Sequence, residues 1–314
     1  MATLPELPEI EAIRRSIAPT LIGAALHVRS IGPHDMRARG AGRGERPERG
    51  RGWLEPRSLL DGARIADVMR RGKRLGLVAD DGRALVIQLG MSGQLVIGDP
   101  GGRSHRHVTW NVHARGGTVL PMVFRDPRRF GGFVPYASAR DMMDAWHAEL
   151  GPDGLGLRTT DLLGRLTGAR AVKSALLDQA VVAGVGNIYA DEALHRAGID
   201  PRTPCRRLCA ATIDRLARSI RSVLRSAVRS GGSTLRDYVD GGGRPGQAQA
   251  LHAVYGRSGQ PCLTCDRPLR LVRLGGRATV WCPACQPPVH TRSGVVPTTG
   301  SRGAAGKRGR VRRR

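Results

Sequence analysis

Four of the six cysteines fall in two close pairs, Cys262-Leu263-Thr264-Cys265 and Cys282-Pro283-Ala284-Cys285, with sixteen residues between the pairs. Tetrahedral zinc needs four thiolates, and two CxxC knuckles supply two each. The spacing therefore predicts one structural zinc ion on Cys262, Cys265, Cys282 and Cys285. Two disulfides are the competing use of these thiols, and a reducing cytoplasm disfavours them. Cys205 and Cys209 lack this pairing and read as ordinary, partly buried thiols. Between the knuckles, residues 269–274 and 278–281 are strand-like, and Gly275-Gly276 supplies a tight turn. Zinc would pin one end of that hairpin, and Arg277 would stand at its tip, as suits insertion into a nucleic acid.

Lysine usage is a second lead. The chain holds 48 Arg but only three Lys: Lys73, Lys173 and Lys307. A lysine that persists in so arginine-rich a chain suggests work an always-charged guanidinium cannot do, such as proton transfer or Schiff-base chemistry. For Lys73 and Lys173 that reading stands beside a plain solvated lysine. The opening of the chain is acidic, with Glu6, Glu9 and Glu11 where a signal peptide would be basic and then apolar. No run of 18 or more apolar residues occurs. A soluble, cytoplasmic protein without a membrane partner is expected.

These groups must be carried by folded elements, and the pattern changes character once along the chain. Pro8 suits the first turn of a leading helix, Glu9 and Glu11 sit near its positive end, and Ile10, Ile13 and Ile17 mark its buried face. From about residue 24 to 134 the apolar runs are short, β-rich and broken by turns, with a hairpin signal at Asp80-Asp81-Gly82. From about residue 139 the period becomes helical, with candidates near 139–149, 171–180, 187–197, 206–230 and 233–240. The fold class expected is α+β, a β-sandwich or barrel with one leading helix, then a helical domain and a cysteine-bearing hairpin.

The formal charge of +25 over 314 residues is too basic for an ordinary metabolic enzyme and favours a nucleic-acid partner. Two stretches concentrate it. Residues 37–52 hold six Arg and five Gly, and 287–314 hold eight basic and no acidic residues. Both read as disordered by composition, an insert and a tail, the tail acting as a nonspecific polyanion clamp. Twelve net positive charges lie there, so the remaining body is basic on its own account.

Six motifs in order resemble the bacterial formamidopyrimidine-DNA glycosylases. They are Pro5-Glu6-Leu7-Pro8-Glu9, Arg70-Arg71-Gly72-Lys73, Leu89-Gly90-Met91-Ser92-Gly93, Asp126-Pro127-Arg128-Arg129-Phe130-Gly131, Gly184-Val185-Gly186-Asn187-Ile188-Tyr189 and Val254-Tyr255-Gly256-Arg257. The resemblance implies a catalytic β-sandwich over 5–136, a helix–two-turns–helix domain over 137–258 and a zinc finger over 259–286. It implies a monomer that acts on damaged double-stranded DNA with no cofactor besides zinc.

The residue roles come from the same resemblance. Pro5 is implied as the secondary amine that attacks C1′ of the damaged nucleotide, and Glu6 as the proton donor. Glu6 taken alone reads as a helix N-terminal charge. Lys73 resembles the acid of β-elimination, and Arg277 the arginine of the δ-elimination step. Met91, Arg128 and Phe130 match the triad that fills the hole left by a flipped base: a wedge, a fork for the orphaned cytosine and a stacking ring. Without the family, Met91 and Phe130 read as core. Asn187, Lys173 and Arg277 resemble groups that grip phosphates, with Gly184 and Gly186 allowing close approach, and His105 a further DNA contact. Where relatives carry a basic residue five positions before Lys173 this chain has Gly168, with Arg170 nearby.

Three departures bear on activity. Met1-Ala2-Thr3-Leu4 precede Pro5, and an internal proline nitrogen is a tertiary amide without nucleophilicity. The expectation is a start at Leu4, translated as Met and removed. Gln88 stands where the family usually has His. The loop 241–249, with Arg244 as a DNA contact, resembles one that closes over 8-oxoguanine, but Gln247-Ala248 replace aromatic residues. The loop argues for oxidised purines; its tip leaves the ranking of 8-oxoguanine and formamidopyrimidine open. The alternatives are an oxidised-pyrimidine glycosylase of the same family and a catalytically silent lesion-binding protein, should Pro5 stay blocked.

Overall fold

The computed structural model describes residues 5–34, 36, 54–99, 101 and 104–288. The 37–52 insert and all but the first two residues of the 287–314 tail lie outside the described residues. The chain opens with helix α1 (Leu7–Leu21), its Pro8 in the first turn, where a missing N–H costs nothing. Glu9 caps the start by accepting the Glu6 N–H at 2.8 Å. The helix faces two ways. Leu7 joins the core of the helical half, whereas Ile10, Ile13, Ile17 and Leu21 join that of the sandwich.

Eight strands follow: β1 (Ala25–Ile31), β2 (Ile65–Arg71), β3 (Arg74–Ala79), β4 (Ala84–Gln88), β5 (Gln94–Ile97), β6 (Arg106–His113), β7 (Val119–Arg125) and β8 (Gly132–Tyr136). They form two four-stranded antiparallel sheets, β1-β6-β7-β5 and β2-β3-β4-β8. Between the sheets Phe124 and Phe133 meet edge to face at 4.8 Å, beside Trp110, whose indole N–H donates to the Leu59 carbonyl. The expected turn at Asp80-Asp81-Gly82 joins β3 to β4, with Gly82 at φ +91°. Strand β4 is buried on both faces because helix α2 (Ala139–Glu149) lays Met142 and Trp146 across the second sheet.

The helical half holds α3 (Thr159–Leu163), α4 (Val172–Leu176), α5 (Asn187–Ala197) and α6 (Ala210–Arg229). Ile213, Leu216, Ala217, Ile220, Leu224 and Ala227 recur at helical spacing on α6 and face the core. The helix expected near 206–230 starts later, after a 3-10 turn at Cys205–Arg207. No helix forms over 233–240. Its polar groups are claimed elsewhere: the Ser233 N–H by Glu9, the Thr234 N–H by Gln249, and the Tyr238 hydroxyl donates to carbonyls of Glu9 and Gly231. Tertiary bonds outweigh the local period there. Strands β9 (Arg270–Leu274) and β10 (Arg277–Trp281) close the chain, their turn made by Gly275 and Gly276 with positive φ at both, as a two-residue type I′ turn requires. Among the described residues, no helix is long and apolar enough to cross a membrane.

Candidate active site and nucleic-acid interface

Pro5 and Glu6 stand at the start of α1, where α1 meets α5. The Leu7 N–H donates to the Gly184 carbonyl, which ties the beginning of the chain to the loop before α5. Glu6 is 2% exposed, yet its carboxyl is well served: Gly186 N–H reaches Oε2 at 2.7 Å and Ile188 N–H reaches Oε1 at 2.9 Å. Those N–H groups are the unsatisfied donors of a helix N-terminus, which favour an anion. Burial acts the other way and is the larger effect. It pushes the Glu6 carboxyl up to about 7, against the attraction of Lys73 and with the repulsion of Glu9.

Lys73 shares this space. A Cβ on Gly186 would lie 2.5 Å from Lys73 Nζ and inside the Glu6 carboxyl, so glycine is what lets the two groups meet. Burial lowers the Lys73 amine, opposed by Glu6 and Glu9 and joined by the nearby Arg277 guanidinium. Lys73 occupies the turn between β2 and β3, next to Gly72 at φ +55°. Arg70 holds that turn with bonds of 2.6 and 3.0 Å to Asp153, one to Glu11 and one to the Gly72 carbonyl. Although burial opposes it, Arg14, Arg15 and Arg70 hold the Glu11 carboxyl down at about 2.

Glu9 lies below Glu6 and is also buried, which raises its carboxyl. It accepts the Tyr189 hydroxyl at 2.6 Å and the Ser233 N–H at 2.7 Å. A cleft runs past Pro5, Glu9, Met91, Ser92, Ser233 and Tyr238. Sequence reasoning gave Glu9 only a place at the positive end of the leading helix, and no site role to Ser233 or Tyr189. Glu9 and Tyr189 sit inside the motifs already singled out, but their pairing spans 180 residues and that of Glu9 with Ser233 spans 224.

Around the zinc hairpin, the Sγ atoms of Cys262, Cys265, Cys282 and Cys285 all lie within 4.8 Å of one another. Four thiols so placed fit one tetrahedral zinc ion, with Sγ atoms disposed to bond at about 2.3 Å. The role it would fill is structural, since four protein ligands leave no open position. Arg277 is exposed at the hairpin tip, in register with Leu274.

Lys173 departs from the expected phosphate contact. It is fully buried, with Nζ 2.7 Å from Asp191 Oδ1, 2.9 Å from the Ala278 carbonyl and 2.7 Å from Thr279 Oγ1. Asn187 donates to the same Ala278 carbonyl at 3.1 Å, and Asp191 accepts the Val280 N–H. Both side chains therefore hold β10 just behind Arg277. Lys173 is turned away from DNA, because its ammonium is fully buried and held inside the protein by Asp191, Ala278 and Thr279.

The remaining expected contacts face outward. Phe130 is 56% exposed and the Arg128 guanidinium stacks over its ring at 4.9 Å, while Met91 is half-buried at the cleft. His105 is exposed at φ +64°, and its carbonyl accepts the Asp126 N–H. Arg244 pairs with Asp240 at 2.9 Å with its side chain still largely exposed.

Comparison with known proteins gives one answer along the chain. Residues 4–133 match the formamidopyrimidine-DNA glycosylase N-terminal domain, 158–239 its H2TH (helix–two-turns–helix) domain, and 259–288 the zinc finger found in FPG and IleRS. Formamidopyrimidine-DNA glycosylase of Xanthomonas campestris is 41% identical over 293 residues, covering 90% of this chain and all of that one. That of Methylococcus capsulatus is 42% identical over 289 residues, with the same coverage. The crystal structure of the MutM (Fpg) protein of Thermus thermophilus superposes with a TM-score of 0.71 at 36% identity, covering 90% of this chain and 99% of that one. Wild-type Lactococcus lactis Fpg bound to DNA containing N7-benzyl-Fapy-dG superposes at 0.77 and 28% identity, covering 90% and 100%. The chain belongs to the formamidopyrimidine-DNA glycosylase family.

Proposed function

We propose that this chain excises oxidised purines from duplex DNA and then cleaves the strand at the abasic site it has made. Membership of the family makes it a DNA glycosylase for formamidopyrimidines and related oxidised purines. The lyase steps and the residue roles are our reading. One observation carries it: a buried Glu6 carboxyl and the Lys73 amine share the space opened by Gly186, next to Pro5 at the cleft. The Lactococcus protein binds DNA containing N7-benzyl-Fapy-dG and DNA containing an abasic site, which supports the same substrate class here.

In this reading the Pro5 nitrogen attacks C1′ and the N-glycosidic bond breaks. The departing base gains a proton as the proline nitrogen loses one. In the same step Glu6, its carboxyl near 7, protonates the sugar ring oxygen, so that base release and ring opening both draw on its proton and leave an iminium. Solvent then takes the C2′ proton, the C3′–O bond breaks, and the 3′ phosphate leaves with a proton from Lys73. In a second elimination solvent takes the C4′ proton and the 5′ phosphate leaves beside Arg277. Met91, Arg128 and Phe130 fill the vacated stack, while His105, Asn187 and Arg244 contact the DNA backbone. In this reading the protein acts as a monomer on DNA in the bacterial cytoplasm.

The chemistry needs Pro5 as a free secondary amine, so residues 1–4 must be absent from the active protein. Borohydride trapping on an 8-oxoguanine duplex, with intact mass of the protein purified from its native host, tests both points. A covalent adduct on a chain beginning at Pro5 is the expected outcome. Binding without adduct would instead identify a silent lesion reader. Adduct on oxidised-pyrimidine duplexes alone would move the substrate to the other branch.

A further inference from the structure

Filling the gap left by an extruded base requires Met91, Arg128 and Phe130 to arrive together, yet they sit on two loops. Residues 89–93 lead from β4 to β5, and residues 126–131 lead from β7 to β8. Each loop crosses between the sheets at one end of the sandwich, since β4 pairs with β8 in one sheet and β5 with β7 in the other. Independent motion of the sheets would separate wedge from fork.

Asp126 and Ser92 hold these loops together. Asp126 is fully buried and Ser92, in the wall of the cleft, is 4% exposed, with its hydroxyl engaged between the two loops. Asp126 Oδ1 accepts the Ser92 hydroxyl at 2.5 Å and the Arg128 N–H at 3.2 Å, and Oδ2 accepts the Gly131 N–H at 2.7 Å. The Arg128 N–H also points to Ser92 Oγ at 3.2 Å. The Asp126 main chain is pinned as well, its N–H to the His105 carbonyl and its carbonyl to His107 Nε2 at 2.8 Å. The loop backbones touch directly. A Cβ on Gly131 would lie 2.6 Å from the Gln88 carbonyl oxygen, and one on Gly90 would lie 2.8 Å from that of Phe130. The two loops thus form one body, fastened at the main chain of the residue placed to read the orphaned base.

We infer that Ser92 and Asp126 are positioning residues that make the two gap-filling loops a single rigid unit and thereby set selectivity for the base opposite the lesion. This rests on the proposed role of Arg128 as the fork for orphaned cytosine. A fork held at its own N–H by two partners presents its guanidinium at one height and angle. Loss of the Ser92 hydroxyl frees that N–H from one partner and unlinks the wedge loop, so adenine becomes better tolerated.

The test compares Ser92→Ala and Asp126→Asn with the full-length protein in single-turnover excision of 8-oxoguanine opposite cytosine and opposite adenine. A 2-aminopurine beside the orphaned base reports wedge insertion, and thermal unfolding checks the fold. The expected result for Ser92→Ala is a cytosine-to-adenine rate ratio reduced about tenfold, the order of one lost buried hydrogen bond, together with a weaker 2-aminopurine signal. Should Asp126→Asn fail to fold, Ser92→Ala decides alone. A ratio equal to that of the unaltered protein, with rates unchanged or lowered equally on both duplexes, would overturn the inference and leave Ser92 a merely structural residue. An unaltered protein with no cytosine preference would instead overturn the Arg128 reading and this inference with it, an outcome visible in its own ratio before any variant is made.

Discussion

The ammonium of Lys173 and the carboxylate of Asp191 meet at 2.7 Å with no more than 1% of either side chain exposed, directly behind the strand that carries Arg277. The pair joins α4 to α5, and Lys173 extends the link to β10 through Ala278 and Thr279. Burial raises the Asp191 carboxyl to about 6, so the pair is under electrostatic tension that its surrounding hydrogen bonds offset.

Truncation of one partner leaves the other charge buried and alone. Lys173→Ala is expected to destabilise the folded chain by about 3–5 kcal/mol in denaturant unfolding, and Lys173→Met with Asp191→Leu to recover most of that loss. The salt dependence of DNA binding separates this from phosphate contact. Removal of a phosphate-gripping lysine lowers the slope of log K against log salt by about one, whereas here the slope should stay as it was. A drop of one would restore the phosphate role.

Gly186→Ala probes the meeting of Glu6 and Lys73. Gly186 has φ −126°, a value any residue adopts, so alanine meets no backbone strain there. Its Cβ would nonetheless occupy the place of the Glu6 carboxyl and approach Lys73 Nζ. Displacement of a general acid removes its contribution, so base release should fall by roughly 10²–10⁴ in single-turnover assays. Base release within a factor of three of the unaltered protein would mean that the crowding has no bearing on chemistry.

The pH profile follows from burial of Glu6. Its carboxyl titrates at about 7 rather than the ordinary 4.5, so the proton-bearing form predominates below pH 7 and is lost above it. Base release should decline about tenfold per pH unit above 7, and Glu6→Gln should abolish that limb along with most of the rate. The same shift bears on stability. The folded state holds this proton more tightly than the unfolded chain, so the contribution of Glu6 is greatest below pH 4.5 and is lost as pH rises to about 7. A profile that stays level from pH 6 to 9 would remove Glu6 from the rate-limiting step.

Metal analysis should return one zinc per chain. Zinc binding to such sites is worth roughly 10–16 kcal/mol, so its removal requires thiol modification or a strong chelator. Loss of the metal should unfold the hairpin and abolish borohydride trapping, while the sandwich core, which shares no residue with the cysteine cluster, keeps its own transition. Full trapping by zinc-free protein would show that the hairpin is dispensable.

Features with local causes were legible in the residues. The cysteine spacing, the Gly275-Gly276 turn, the hairpin ahead of β4 and the buried face of α1 each follow from a few adjacent positions. Lys73 stood out by its scarcity, and its amine shares the space at Gly186 with the Glu6 carboxyl. Lys173 stood out by the same scarcity, but its partners Ala278 and Thr279 are over 100 residues away, and no local pattern announces such a pairing. Residues 233–240 have a helical period that tertiary bonds to Glu9 override. Gly186 could be read as a place of close approach; that it makes room for Glu6 and Lys73 follows only from the packed structure.

The donors that complete Glu6 come from Gly186 and Ile188, 180 and 182 residues further along the chain. A ribosome adding about 5–20 residues per second releases Pro5 and Glu6 many seconds before those donors exist. Pro5 and Glu6 are thus made early and completed late, and a chain truncated before Gly186 carries both without the donors that hold the Glu6 carboxyl.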